Sequence, residues 1–127
     1  MKKTAIVILN WNGIGFLKKF LRTIIRYSTN SDTFIYVADN GSSDGSADWV
    51  GENFREVSLI RLDRNYGFAG GYNRAIDQLD AEYYVLINSD IEVTEGWLQP
   101  LVSFMDGNRD AAACQPKILS YNRKACF

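Results

Sequence analysis

The chain has no histidine and only two cysteines and two prolines among its 127 residues. Without histidine there is no His-based acid–base pair, no Ser-His-Asp triad and no His-bearing zinc site. Two thiolates, Cys114 and Cys126, neither close a zinc site nor build a disulfide framework, so they are expected as reduced thiols of a cytosolic protein. Long hydrophobic runs are also missing. The longest, Ala5 to Leu9 and Tyr83 to Ile87, fall far short of the roughly 20 residues of a spanning helix. Lys2 and Lys3 before an apolar stretch mimic a signal peptide, but the stretch stops at Asn10, short of an h-region of about 7–15 residues. No sign of charge dominates: 14 Lys+Arg face 15 Asp+Glu, a net charge of −1. A global basic field for nucleic acid or an anionic membrane is therefore absent.

The hydrophobic fraction is 46% and the aromatic fraction 13%, which excludes a disordered chain. The length fits one domain, residues 1–127, with a core of its own. Thr4 to Leu9 reads as a strand buried on both faces. Leu17, Phe20, Leu21, Ile24 and Ile25 then recur at helical spacing between Ile14 and Tyr27, opposite a basic face. Thr33 to Ala38 and Val57 to Leu62 read as strands around a short helix, Ala47 to Phe54, with Asp44 or Ser46 as its N-cap. A glycine-rich loop, Asn65 to Gly71, precedes a helical face of Tyr72, Ala75, Ile76 and Leu79. Tyr83 to Ile87 is a fourth strand. Trp97, Leu98, Leu101, Val102 and Met105 mark another helix, and Ala111 to Cys114 a fifth strand, broken by Pro116. The alternation predicts an α/β three-layer sandwich on a mainly parallel sheet, order 3-2-1-4 plus an edge strand. Such a sheet gathers its strand-to-helix loops at one edge, where ligands bind.

Those loops hold the candidate residues. Trp11, between Asn10 and Asn12, can stack on a flat ring or close the core. Asp39 ends a strand and can accept from a ring N–H or a sugar hydroxyl, while Ser42, Ser43 and Asp44 carry turn chemistry. A calcium loop counted from Asp39 fails, because its sixth and twelfth positions hold Asp44 and Val50 instead of Gly and Glu. Gly67, Gly70 and Gly71, flanked by Arg61 and Arg64, can cradle a phosphate or form a tight turn with close helix packing. They lack the spacing and position of a dinucleotide fingerprint. Asp90, in Asn88-Ser89-Asp90, can hold Mg²⁺ or Mn²⁺ together with a diphosphate and water, or act as a turn residue. Glu92 and Glu95 read as first-turn acids of the next helix.

Ile6 to Gly13 (IVILNWNG), Asp39 to Ser46 (DNGSSDGS), Asn65 to Asn73 (NYGFAGGYN) and Leu86 to Val93 (LINSDIEV) together resemble family 2 glycosyltransferases of the A-type fold. The likeness is to their rhamnosyltransferase-like branch, and it runs from about Thr4 to Leu119. The resemblance implies inverting transfer of a sugar from a nucleoside-diphosphate sugar, dTDP-rhamnose or a UDP-sugar, to a hydroxyl in polysaccharide or cell-surface glycan synthesis. It implies a nucleotide site of Asn10, Trp11, Asn12, Asp39, Asn65, Gly67, Asn88 and Ser89, with Asp90 as ligand to Mg²⁺ or Mn²⁺. The family's D-x-D motif falls on residues 88–90, with Asn88 in place of its first Asp.

Inversion also needs a general base. The resemblance places it in an acceptor half beyond Phe127, since Asp106 and Asp110 lie too early. The chain is thus expected to be the donor-binding part of a longer cytoplasmic enzyme, free or peripheral at the inner face of the membrane. The expected partners are a sugar donor and a glycan or lipid-linked acceptor, with self-association through any surface left bare. The alternative is a nucleotide-binding module without catalysis. A phosphoryl-accepting receiver domain is excluded by Asn10 and Asn12, where that fold needs an acidic pair.

Overall fold

A computed structural model describes residues 2–124. Four strands and four helices alternate: β1 (Lys2–Asn10), α1 (Ile14–Ser28), β2 (Thr33–Asp39), α2 (Ser46–Asn53), β3 (Val57–Arg61), α3 (Gly67–Ile76), β4 (Ala81–Asn88) and α4 (Gln99–Gly107). The strands pair in parallel in the order β3-β2-β1-β4. The β-branched run of β1 is central, so Ile6, Val7 and Ile8 are fully buried with layers on both faces.

The strand period sends alternate side chains to opposite faces. Ile6 and Ile8 meet Leu17, Leu21 and Ile24 of α1, Val50 of α2, and Val93 and Leu98 ahead of α4. Trp97 fastens that last segment, its indole N–H donating to Ser28 Oγ at 3.0 Å. Ala5, Val7 and Leu9 meet Ala75 of α3, with Tyr72, Leu79 and Tyr84 packed alongside. The result is three layers, as the sequence predicts.

Register brings the strand ends level. Asn10 lies opposite Asp39, Asp39 opposite Arg61, and Leu9 opposite Asn88. The loops after all four strands therefore open at one edge.

Three expectations change. The expected edge strand at Ala111 to Cys114 is absent among the described residues: residues 112–120 carry no regular structure and residues 112–119 are exposed. An extended segment is a strand only where a neighbour takes its N–H and C=O groups, and Pro116 lacks a donor. The glycine-rich segment is not all loop, because α3 already starts at Gly67 and ends at Ile76, before Leu79. The N-cap of α2 is Gly45, at φ +80°, rather than Asp44 or Ser46. Cys126 lies outside the described residues, whereas Cys114 is a free, exposed thiol.

Candidate functional site

Asn10 and Asp39 form the floor of the edge, 1% and 4% exposed. Asn10 Nδ2 donates to Asp39 Oδ1 at 3.0 Å and Ser46 Oγ at 2.8 Å. The other carboxylate oxygen of Asp39 accepts from the Ser42 N–H at 3.0 Å. A carboxylate has about four acceptor positions, so Asp39 keeps capacity for a further donor. Asn10 Oδ1 is buried and has no hydrogen-bond partner among the described residues. A Cβ added at Gly13 would lie 2.5 Å from this atom and 2.8 Å from Ser89 Oγ. Loops one and four thus meet over Asn10, and only glycine fits between them.

Trp11 is 54% exposed, so of its two readings the structure excludes closure of the core. Asn12 adopts φ +49°. Its N–H donates to Ser42 Oγ at 2.9 Å and its Oδ1 accepts from the Ser43 N–H at 2.8 Å. Asn12 thereby ties loop one to loop two, with its side-chain oxygen already occupied.

Asp44 joins the first turns of two helices, its carboxylate accepting from the N–H groups of Ile14 and Ser46, both at 3.0 Å. Burial works against its ionisation, but the bonds from Ser46 and Ile14 prevail and hold the carboxyl below its usual value of 3.8. A depressed carboxyl stabilises the fold above the unfolded value, and that contribution is lost as pH falls through the folded one. Asp44→Ala is therefore expected to cost about 1–3 kcal/mol near neutral pH, the scale of one or two lost caps. Urea unfolding should show the deficit narrowing below about pH 4, as both proteins come to lack the anion.

Loop three is held by Asn40, which the turn-forming context of loop two conceals in the sequence. Its buried amide donates to Asn65 Oδ1 at 3.1 Å and Gly67 O at 3.0 Å, and accepts from the Tyr66 N–H at 2.9 Å. Asn65 Oδ1 also accepts from the Gly67 N–H at 2.8 Å. Asn65 and Gly67 are thus exposed but internally bonded, and they set the start of α3, whose first turn has no side-chain cap at Tyr66. Arg61 turns away to Asp48 at 2.6 Å. The cations beside the loop are Arg64 and Arg74, over the Tyr66 ring at 4.9 and 3.7 Å. Arg74 gives no local signal, since it comes from the last turn of α3.

At loop four, Asn88 is half-buried, Ser89 buried and Asp90 exposed. The Tyr72 hydroxyl donates to Asn88 Oδ1 at 3.0 Å. Burial pushes this hydroxyl up to about 12, the Leu9 backbone works against the rise, and the charge of Asp90 adds to it. Asp90 makes no ion pair among the described residues. Glu92 pairs instead with Lys124. Neither Glu92 nor Glu95 caps α4, because that helix starts only at Gln99. Asp106 accepts from Lys3 at 2.8 Å and Tyr83 at 2.6 Å, near the strand starts and away from the edge.

No three His, Cys, Asp or Glu side chains converge among the described residues. The free oxygen donor of Asp90 still suits Mg²⁺ or Mn²⁺, because such ions keep waters and need few protein ligands when a diphosphate supplies the rest.

The model of the glycosyl transferase family 2 matches residues 5–124. Residues 5–124 of this fold thus carry a family signature almost end to end, and the chain belongs to glycosyl transferase family 2. It is 25% identical over 122 residues to a teichoic acid poly(glycerol phosphate) polymerase of Staphylococcus epidermidis, covering 82% of this chain and 17% of that protein. It is 29% identical over 66 residues to N-acetylgalactosaminyltransferase 6 of Drosophila melanogaster, covering 52% of this chain and 10% of that one. The fold superposes with a TM-score of 0.73 on the mannosyltransferase PcManGT from Pyrobaculum calidifontis, solved with GDP-Man and Mn²⁺. That match has 18% identity and covers 81% of this chain and 32% of the other. TarS of S. aureus, residues 1-349 with UDP-GlcNAc, gives 0.73 at 17% identity, covering 91% and 37%. The sheet with its order 3-2-1-4 is that of A-type glycosyltransferases. The chain spans about a third of these solved chains and under a fifth of the two sequence relatives. No helix among the described residues is long and apolar enough to cross a membrane.

Proposed function

We propose that the edge formed by loops one to four binds the nucleoside diphosphate of a sugar donor, as the donor-binding part of an inverting glycosyltransferase. The observation that carries this reading is the juxtaposition of Asn10 and Asp39 on the floor with exposed Trp11 and Asp90 at the rim. Trp11 stacks on the base, a contact worth about 1–3 kcal/mol. Asp39 accepts from the ring N–H with its spare capacity. Asn12, Asn65 and Gly67 hold the loops in place, and the first turn of α3, beyond the Gly67 N–H that Asn65 engages, faces the diphosphate. Asn10, Asn88 and Ser89 complete the pocket below.

Asp90 would hold Mg²⁺ or Mn²⁺. When bound, the ion would stabilise negative charge on the departing nucleoside diphosphate as a Lewis acid. The base that deprotonates the acceptor hydroxyl comes from an acceptor half rather than from Asp106, which is engaged near the strand starts, or from Asp110, exposed just past α4. Support for a sugar-nucleotide ligand comes from the family and from the donor complexes of PcManGT and TarS. The donor is dTDP-rhamnose or a UDP-sugar, and the acceptor is a polysaccharide or cell-surface glycan.

The test is calorimetry on Asp90→Ala with UDP and dTDP. The wild-type protein is expected to bind about tenfold more tightly with Mn²⁺, a gain of roughly 1.4 kcal/mol. Asp90→Ala should lose that gain and keep its metal-free affinity. Equal enhancement in the variant would remove Asp90 from the cation site.

A further inference from the structure

Position 88 stands where the family motif has an acid, yet its oxygen is already taken. Tyr72 reaches from α3 across the end of the β1–β4 pair, and its hydroxyl lies 3.0 Å from Asn88 Oδ1. The hydroxyl can serve Asn88 as donor or as acceptor, and the two choices turn the amide opposite ways. The structure takes the first: the hydroxyl donates to Asn88 Oδ1. The amide nitrogen is left as the free end, and it has no hydrogen-bond partner among the described residues. Asn88 is half-buried, level with Asn10 and Asp39 along the edge, and Asp90 follows two residues later.

We infer that Tyr72 is a positioning residue that holds Asn88 with its amide nitrogen toward the ligand. Position 88 then donates to an oxygen of the nucleoside diphosphate and leaves the cation to Asp90 alone. This rests on the nucleotide reading above. It gives the Asn in place of Asp a chemical role: a donor for an oxygen-rich ligand rather than a second carboxylate. An acid at 88 would be held by the same hydroxyl, and it would set a second negative charge beside Asp90 and the diphosphate.

The experiment is calorimetry with UDP, in EDTA and in Mn²⁺, on wild type, Tyr72→Phe, Asn88→Ala, the double variant and Asn88→Asp. Thermal unfolding establishes that each is folded. In EDTA, Tyr72→Phe and Asn88→Ala are each expected to weaken binding about threefold to tenfold, the scale of one neutral hydrogen bond. The double variant should bind no more weakly than Asn88→Ala, because Tyr72 acts only through Asn88. Asn88→Asp should weaken metal-free binding by about tenfold or more and show a larger Mn²⁺ enhancement than wild type. A Tyr72→Phe protein that binds like wild type in EDTA overturns the inference. So does a Tyr72→Phe loss that adds in full to that of Asn88→Ala, which marks a purely structural role. Metal-free binding by Asn88→Asp equal to wild type does the same. A folded wild-type protein that binds no UDP in either buffer instead overturns the nucleotide reading on which the inference stands.

Discussion

Gly41→Ala is expected to destabilise the protein by about 3 kcal/mol or more. Two causes add. The residue sits at φ +76°, where a side chain costs roughly 1–2 kcal/mol. Its Cβ would also lie 2.6 and 2.7 Å from the carbonyl carbon and Cα of Arg64, and 2.8 Å from the nitrogen of Asn65. These are backbone atoms that cannot rotate away, so loops two and three must part, at an overpacking cost of about 1–3 kcal/mol. Parting them also strains the three bonds from the Asn40 amide to Asn65, Tyr66 and Gly67. Gly96 is the control, with φ +72° and nothing within 4 Å of an added Cβ. Gly96→Ala should show the backbone cost alone. Equal losses for the two variants in urea unfolding would mean that the contact between the loops is not under the compression the structure implies.

Asp39→Ala is expected to weaken nucleotide binding about tenfold to hundredfold, with and without metal. A hydrogen bond to an ionised partner is worth about 1.5–3 kcal/mol, and each 1.4 kcal/mol is tenfold. The variant also strips Asn10 Nδ2 and the Ser42 N–H of an acceptor, so its stability should drop by about 1–3 kcal/mol. Titration must therefore use conditions in which the variant is fully folded. The contrast with Asp90→Ala is diagnostic. Loss at Asp39 should be independent of Mn²⁺, whereas loss at Asp90 should appear only with it. Unchanged affinity in folded Asp39→Ala would remove the carboxylate from base recognition.

Strand order and the edge at which the loops gather were legible because they depend on period and punctuation. Apolar β-branched runs alternate with helical spacing, and polar clusters follow each strand. Asp39 and Asp90 stand out as carboxylates just past such runs. What stayed hidden depends on partners far away in sequence. Asn40 looks like one more turn residue until the loop 25–27 positions later closes on it. Tyr72 reads as a core position of α3, and only the fold brings its hydroxyl to Asn88.

Of the glycines of the third motif, one bears out the close helix packing that the sequence allows. Gly71 permits close packing, since a Cβ there would meet Asn40 Nδ2 at 2.8 Å and Leu9 Cδ1 at 2.9 Å. Gly71 therefore marks a helix pressed against the sheet, in a segment that reads in sequence as a loop. The expected fifth strand failed because strand propensity is not enough: a strand also needs a neighbour.

The four loops are proposed to form together a metal-assisted nucleoside-diphosphate site. Its most direct test is titration of the folded chain with UDP and with dTDP, in EDTA and in Mn²⁺. Saturable one-to-one binding of at least one of them is expected, strengthened about tenfold by Mn²⁺. No binding of either nucleotide at millimolar concentration, with or without the metal, would contradict it.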